Sequence, residues 1–132
     1  MCNVGDIILV ESYKYNKSVL TRHSFVVLTV GAESIERLDY DFVCNVLSSF
    51  KNEQQRTRKL RYPGNFEITH EDSTVVGGNT KDGYIKAEQL YYFNSKKTKY
   101  TVIGKLNQNV FEKLLDFIEN LKVPLEEITT NL

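Results

Sequence analysis

Short apolar runs, each broken off by polar or glycine-containing segments, recur along most of this chain. They are Gly5-Asp6-Ile7-Ile8-Leu9-Val10, Phe25-Val26-Val27-Leu28, Phe42-Val43-Cys44-Asn45-Val46-Leu47, Gln89-Leu90-Tyr91-Tyr92-Phe93 and Tyr100-Thr101-Val102-Ile103-Gly104-Lys105-Leu106. Runs of this length, rich in β-branched and aromatic residues, make strands. Strands at Ile7 to Val10, Phe25 to Val30 and Tyr40 to Leu47 predict an antiparallel meander. The polar segment Glu11 to Thr21 then reads as a hairpin loop and Gly31-Ala32-Glu33 as a turn. Phe66-Glu67-Ile68 and Gly83 to Ala87 add short strands, with Val75 to Asn79 as turn residues between them. The last two strands, Gln89 to Phe93 and Tyr100 to Leu106, are joined through Asn94-Ser95-Lys96-Lys97. In Tyr91-Tyr92-Phe93, alternation assigns one face to the core and the other to the surface.

The departure from the β pattern comes near the end. Val110, Phe111, Leu114, Leu115, Phe117, Ile118 and Leu121 recur at helical spacing, with Asn107 or Asn109 available as an N-cap and Pro124 beyond the last turn. Such a stripe packs on a sheet. Between Lys51 and Arg61 the apolar periodicity vanishes, and the segment predicts a solvated loop or a short helix near 52–60. The expected class is mostly β with a C-terminal helix.

A chain of 132 residues with 41% apolar content supports one compact core, so a single domain over 1–132 is expected. Lys plus Arg equals Asp plus Glu at 17 each, which leaves no global field to attract nucleic acid or membrane, and any such binding needs a local patch. Cys2 and Cys44 are too few for a metal site of their own, and Cys44 reads as a buried strand thiol. No metal and no other cofactor is expected. The absence of a run of about 18 apolar residues argues against a membrane span. The N-terminal residues lack a charged head with an apolar stretch, so the expectation is a reduced, cytoplasmic protein. No Walker-type phosphate loop and no nucleophile elbow is visible.

Polar groups at the mouth of the second strand carry the functional interest. Arg22 presents a fixed fork of donors that matches phosphate oxygens and stays charged at every relevant pH. The plain alternative is a surface ion pair with a loop carboxylate such as Glu11. His23 titrates near neutrality and suits proton transfer, against the alternative of a half-exposed surface residue. His70, in Ile68-Thr69-His70-Glu71-Asp72, reads as a loop residue beside carboxylates. The cationic residues Lys51, Arg56, Arg58, Lys59 and Arg61 can track an RNA backbone, with Phe50, Tyr62 and Phe66 at the borders to stack on unpaired bases. The same charges also suit a solvated loop that keeps the protein soluble.

The order of these elements resembles the MazF/PemK family of toxin endoribonucleases from type II toxin–antitoxin modules, in particular its PemK-like branch. The resemblance rests on several strings spread over essentially the whole chain. These are Gly5-Asp6-Ile7-Ile8, Arg22 before Phe25-Val26-Val27-Leu28, the hydroxyl residues of Leu47-Ser48-Ser49, Ile85-Lys86-Ala87-Glu88-Gln89-Leu90, and Ile103-Gly104-Lys105-Leu106 before the helix. It implies an SH3-like small antiparallel β-barrel with a C-terminal α-helix. It also implies a homodimer that cuts single-stranded RNA without a metal, silenced by a cognate antitoxin peptide lying in the RNA groove. By the same resemblance, Arg22 and Ser48 take the catalytic positions, with the neighbouring Ser49 as the alternative hydroxyl, and the residue chemistry adds His23 as a candidate proton carrier. The cationic run, not the resemblance, makes Lys51, Arg56, Arg58 and Lys59, together with Ser49, the RNA-binding candidates. His23 stands where many members carry proline, serine replaces the usual threonine, and the segments 51–61 and 75–82 are longer than compact members require. The alternative functions are a non-catalytic SH3-like barrel that binds RNA or a peptide, and a structural protein that dimerises through its sheet.

Overall fold

Strands that read as continuous apolar runs are buried on both faces, and this is how the central strands are arranged in the computed structural model, which describes residues 2–31, 39–78 and 81–132. The turn residues Ala32, Glu33 and Asn79 lie outside the described residues. The elements are β1 (Asp6–Tyr15), β2 (Ser18–Val30), β3 (Phe42–Ser49), α1 (Glu53–Leu60), β4 (Asn65–Ile68) and β5 (Ser73–Val75). They continue with β6 (Gly83–Lys86), β7 (Gln89–Phe93), β8 (Tyr100–Leu106), α2 (Gln108–Glu119) and β9 (Glu126–Ile128). The main sheet runs β4-β6-β3-β2-β1-β8-β5, antiparallel throughout. The β4 and β5 strands are its two ends and do not pair, so the sheet is mostly antiparallel and open.

The expected meander β1-β2-β3 is present, but its hairpin is longer than the polar segment indicated. Pairing continues from Val10↔His23 to Tyr15↔Ser18, leaving only Asn16 and Lys17 as the turn, with Asn16 at φ +54. Asparagine tolerates that left-handed conformation better than most residues, which suits a two-residue hairpin.

Strand β3 is shared by two neighbours on one side. Its end, Leu47 to Ser49, pairs with β6, and its start, Phe42 to Cys44, pairs with β7. At the break between them lies the fully buried Asn45, whose amide donates to the carbonyls of Ala87 at 3.4 Å and Gln89 at 2.8 Å. A buried carbonyl left without a partner is costly, and Asn45 supplies the donor that the interrupted ladder lacks.

One face of the central strands carries an aromatic core. Phe25 meets Tyr13, Tyr91 and Phe93 edge-on at centroid distances of 5.0, 5.1 and 5.2 Å, an arrangement favoured by the ring quadrupoles. Cys44 is buried in this cluster, as its run predicted, and Cys2 joins it. The other face is aliphatic, with Ile7, Val26, Leu28, Ile85 and Leu106 covered by Val110, Phe111 and Leu114 of α2. Phe117, Ile118 and Leu121 extend that contact, whereas Leu115 points away and is exposed.

Several local expectations are revised. Asn107 occupies the N-cap position of α2, yet its side chain donates to the Glu71 carbonyl at 2.9 Å instead of capping the helix. The strands β7 and β8 do not pair with each other: β7 lies beside β3 and β9, and β8 between β1 and β5. Neither face of Tyr91-Tyr92-Phe93 is surface, because Tyr92 packs with Tyr40 and Val43 and donates its hydroxyl to Glu127 at 3.2 Å. The helix α2 is followed by β9, which runs parallel to β7. Beyond β9, the tail caps the free edge of the hairpin: Lys14 N–H donates to Asn131 Oδ1 at 2.6 Å, and Asn131 Nδ2 donates back to the Lys14 carbonyl at 3.0 Å. No helix among the described residues is long and apolar enough to cross a membrane.

Candidate functional site

The pairing of β2 with β3 ends at Ser24↔Leu47, one step past which His23 lies beside Ser48, and Ser48 pairs with Tyr84 of β6. Residues directly opposite in such a ladder share a face. An open groove of about 360 Å³ follows this row at the end of β3, lined by Arg22, His23, Ser24, Leu47, Ser48, Ser49, Lys51, Gln55 and Tyr84. Five of the eight residues marked out above, Arg22, His23, Ser48, Ser49 and Lys51, therefore meet on one surface.

His23 is half-buried against the edge of the aromatic core, with ring centroids 6.0 Å from Tyr13 and 6.5 Å from Phe25. Its Nε2 lies 3.3 Å from Ser48 Oγ. Burial, and secondarily the Lys86 ammonium, hold its pKa below the ordinary 6.5, so the imidazole is neutral near pH 7. A neutral imidazole beside a hydroxyl is able to accept a proton.

Arg22 sits at φ +39, a left-handed conformation inside a strand. For a residue with a Cβ this costs on the order of 1–2 kcal/mol, and strain of this kind clusters at functional sites. The guanidinium is well exposed, and its Nε lies 4.0 Å from Glu11 Oε2, at the outer limit of an ion pair. The surface pair that competed with a functional role is thus present at the outer limit of distance, while Arg22 also lines the groove.

Helix α1 supplies the adjoining wall. Asn52 caps it by accepting from Gln55 N–H at 2.8 Å, and Gln55 Oε1 accepts from Lys51 N–H at 2.6 Å. This reciprocal cap fixes Lys51 and Gln55 at the groove. The remaining cations of α1 do not line it. Arg56 pairs with Glu67 and reaches Glu53 at 3.7 Å, Arg58 is exposed on the last turn, and Lys59 places its ammonium 5.9 Å from the Tyr84 ring centroid. Phe50 stacks on Tyr84 at 5.2 Å, beside the groove, whereas Phe66 packs on Phe117 of α2 and does not line it. His70 is outside the groove, held at 2.9 Å by Asp82, and that hydrogen bond raises its pKa. Among the described residues no three His, Cys, Asp or Glu side chains are grouped to hold a metal ion.

Comparisons with family models, with curated proteins and with solved structures give no match for this chain. The site therefore stands on its own geometry. Sequence reasoning missed Ser24, Leu47, Gln55 and Tyr84. The cap pattern Asn52-Glu53-Gln54-Gln55 was a readable signal for Gln55, while the other three depend on register.

Proposed function

We propose that the protein is an endoribonuclease that cuts single-stranded RNA by attack of the 2′-hydroxyl on the adjacent phosphodiester. The observation that carries this reading is the convergence of a strained arginine, a neutral histidine and two serine hydroxyls on one groove in a chain of zero net charge. In the reaction a 2′-O–P bond forms, the P–O5′ bond breaks, and the products are a 2′,3′-cyclic phosphate and a 5′-hydroxyl. His23 Nε2 takes the 2′-hydroxyl proton, and water in the open groove returns one to O5′. Arg22 binds the phosphorane oxygens, where preorganised charge contributes most to the rate. Ser48, beside His23 Nε2, donates its one hydroxyl proton to a phosphate oxygen, and Lys51 holds the neighbouring phosphate.

The open sheet is, in this reading, a variant of the SH3-like barrel of the MazF/PemK toxins. The groove is then also the seat of an acidic antitoxin segment, and the working unit is a homodimer in the cytoplasm. The test is incubation of the wild-type and Arg22→Ala proteins with a long single-stranded RNA in EDTA, with product ends mapped. Discrete cuts by the wild type alone support the reading. Intact RNA with both folded proteins overturns it in favour of a groove that binds RNA or peptide without cutting.

A further inference from the structure

Strand alternation sends His23 and Ser48 to one face of the sheet and Ser24, Leu47 and Ser49 to the other. On that second face, just behind the groove, lies a cavity of about 120 Å³. Its apolar walls are Ile7, Leu47, Ile68, Val75 and Ile103, Lys81 and Gly83 also line it, and Ser24, Ser48 and Ser49 line both it and the groove. It sits at the seam where the sheet fails to close, between the last residues of the edge strands, Ile68 of β4 and Val75 of β5.

We propose that this cavity is a nucleobase subsite that takes a single pyrimidine ring of the RNA whose phosphate lies in the groove. This inference rests on the ribonuclease reading above and deepens it. Size points to the ring: an apolar cavity of about 150 Å³ holds one benzene, so about 120 Å³ encloses one six-membered ring but does not enclose a fused purine. The lining decides the chemistry, because apolar walls with a few polar groups, here three serines and Lys81, are what small flat ligands use. Serine hydroxyls both donate and accept, so the mouth fits the edges of uracil and cytosine alike. Continuity decides the register, since the shared serines put base and phosphate on opposite sides of the same strand end.

The test is a methyl and amide NMR titration of the protein with uridine 3′-monophosphate, cytidine 3′-monophosphate and guanosine 3′-monophosphate, with inorganic phosphate as the control for the groove. Both pyrimidine nucleotides are expected to shift the Ile7, Ile68 and Ile103 methyl signals saturably, and the guanosine nucleotide to shift only groove signals at Arg22 and His23. Filling the cavity with Ile103→Phe is expected to weaken pyrimidine binding by at least about tenfold, the scale of one lost apolar contact site, while phosphate still shifts the groove. Val75→Phe serves if the first variant fails to fold. Methyl signals that stay still with pyrimidine nucleotides, or move equally with guanosine, overturn the subsite. Phosphate shifts at Arg22 and RNA cutting report separately on the ribonuclease reading, so an active enzyme with unmoved methyls sinks the subsite alone.

Discussion

The two ends of β3 face opposite demands. From Phe42 to Val46 every residue is buried, pressed between an aromatic and an aliphatic core, while Leu47 and Ser48 are half-buried and Ser49 is exposed at the groove. The buried end is packed among rings, Phe42 lying against Phe93 and Tyr100. The open end lies against Arg22, whose backbone is strained, and ends in hydroxyls that serve no packing. The contrast teaches that the first five residues hold the strand in place, and that the last two spend this rigidity on positioning chemical groups.

The comparison breaks most severely if the buried end proves soft. Phe42→Ala is expected to cost about 3–5 kcal/mol of stability by emptying a fully buried ring site, read as a lowered denaturant midpoint with RNA cutting per folded molecule unchanged. At the open end the balance reverses. Arg22→Ala is expected to lower the cutting rate by about 100- to 1,000-fold with no loss of stability. Arg22→Gly should match that loss while raising stability by up to about 1 kcal/mol, because glycine adopts φ +39 freely. A fall in thermal midpoint in both variants would show that Arg22 is structural.

Asn45→Ala sharpens the boundary between the two ends. Removing the amide strands the Ala87 and Gln89 carbonyls, at an expected cost of about 1–3 kcal/mol measured by urea unfolding. The smallest effect concerns acidity. His23 has a folded pKa below 6.5, so as pH falls through 6.5 the unfolded chain takes up the proton first, and stability declines until the folded pKa is passed. Cutting by a neutral His23 is correspondingly expected to persist below pH 6.5 before it falls. Lys86→Gln should move that inflection upward toward 6.5 in a pH–rate profile.

Much of the sheet was legible because apolar runs of four to eight residues state strand position directly, and the stripe from Val110 to Leu121 states a helix. The hairpin was not, since Glu11 to Thr21 is polar: Tyr13 buries into the aromatic core, but Val19 and Leu20 stay exposed, so no alternation marks the strand. Strand β9 has three residues, two of them glutamates, and exists because β7 offers it an edge. At the site, Arg22, His23 and Ser48 were visible as chemical types at strand ends. Tyr84 was not, because its place depends on the pairing Ser48↔Tyr84 between segments 36 residues apart. The pairing of Arg56 with Glu67 was hidden for a similar reason, since β4 brings the two together.

The clasp of Asn131 on Lys14 has a consequence for how molecules of this protein behave toward one another. One amide group makes the two hydrogen bonds that an incoming strand would make, at the stretch of β1 that β8 no longer covers. An uncovered strand edge is a template for the edge of a neighbour, and blocking two of its polar groups lowers that risk without adding a strand. The residues after β9 therefore act as a guard on colloidal behaviour, at the opposite end of β1 from the cavity wall formed by Ile7.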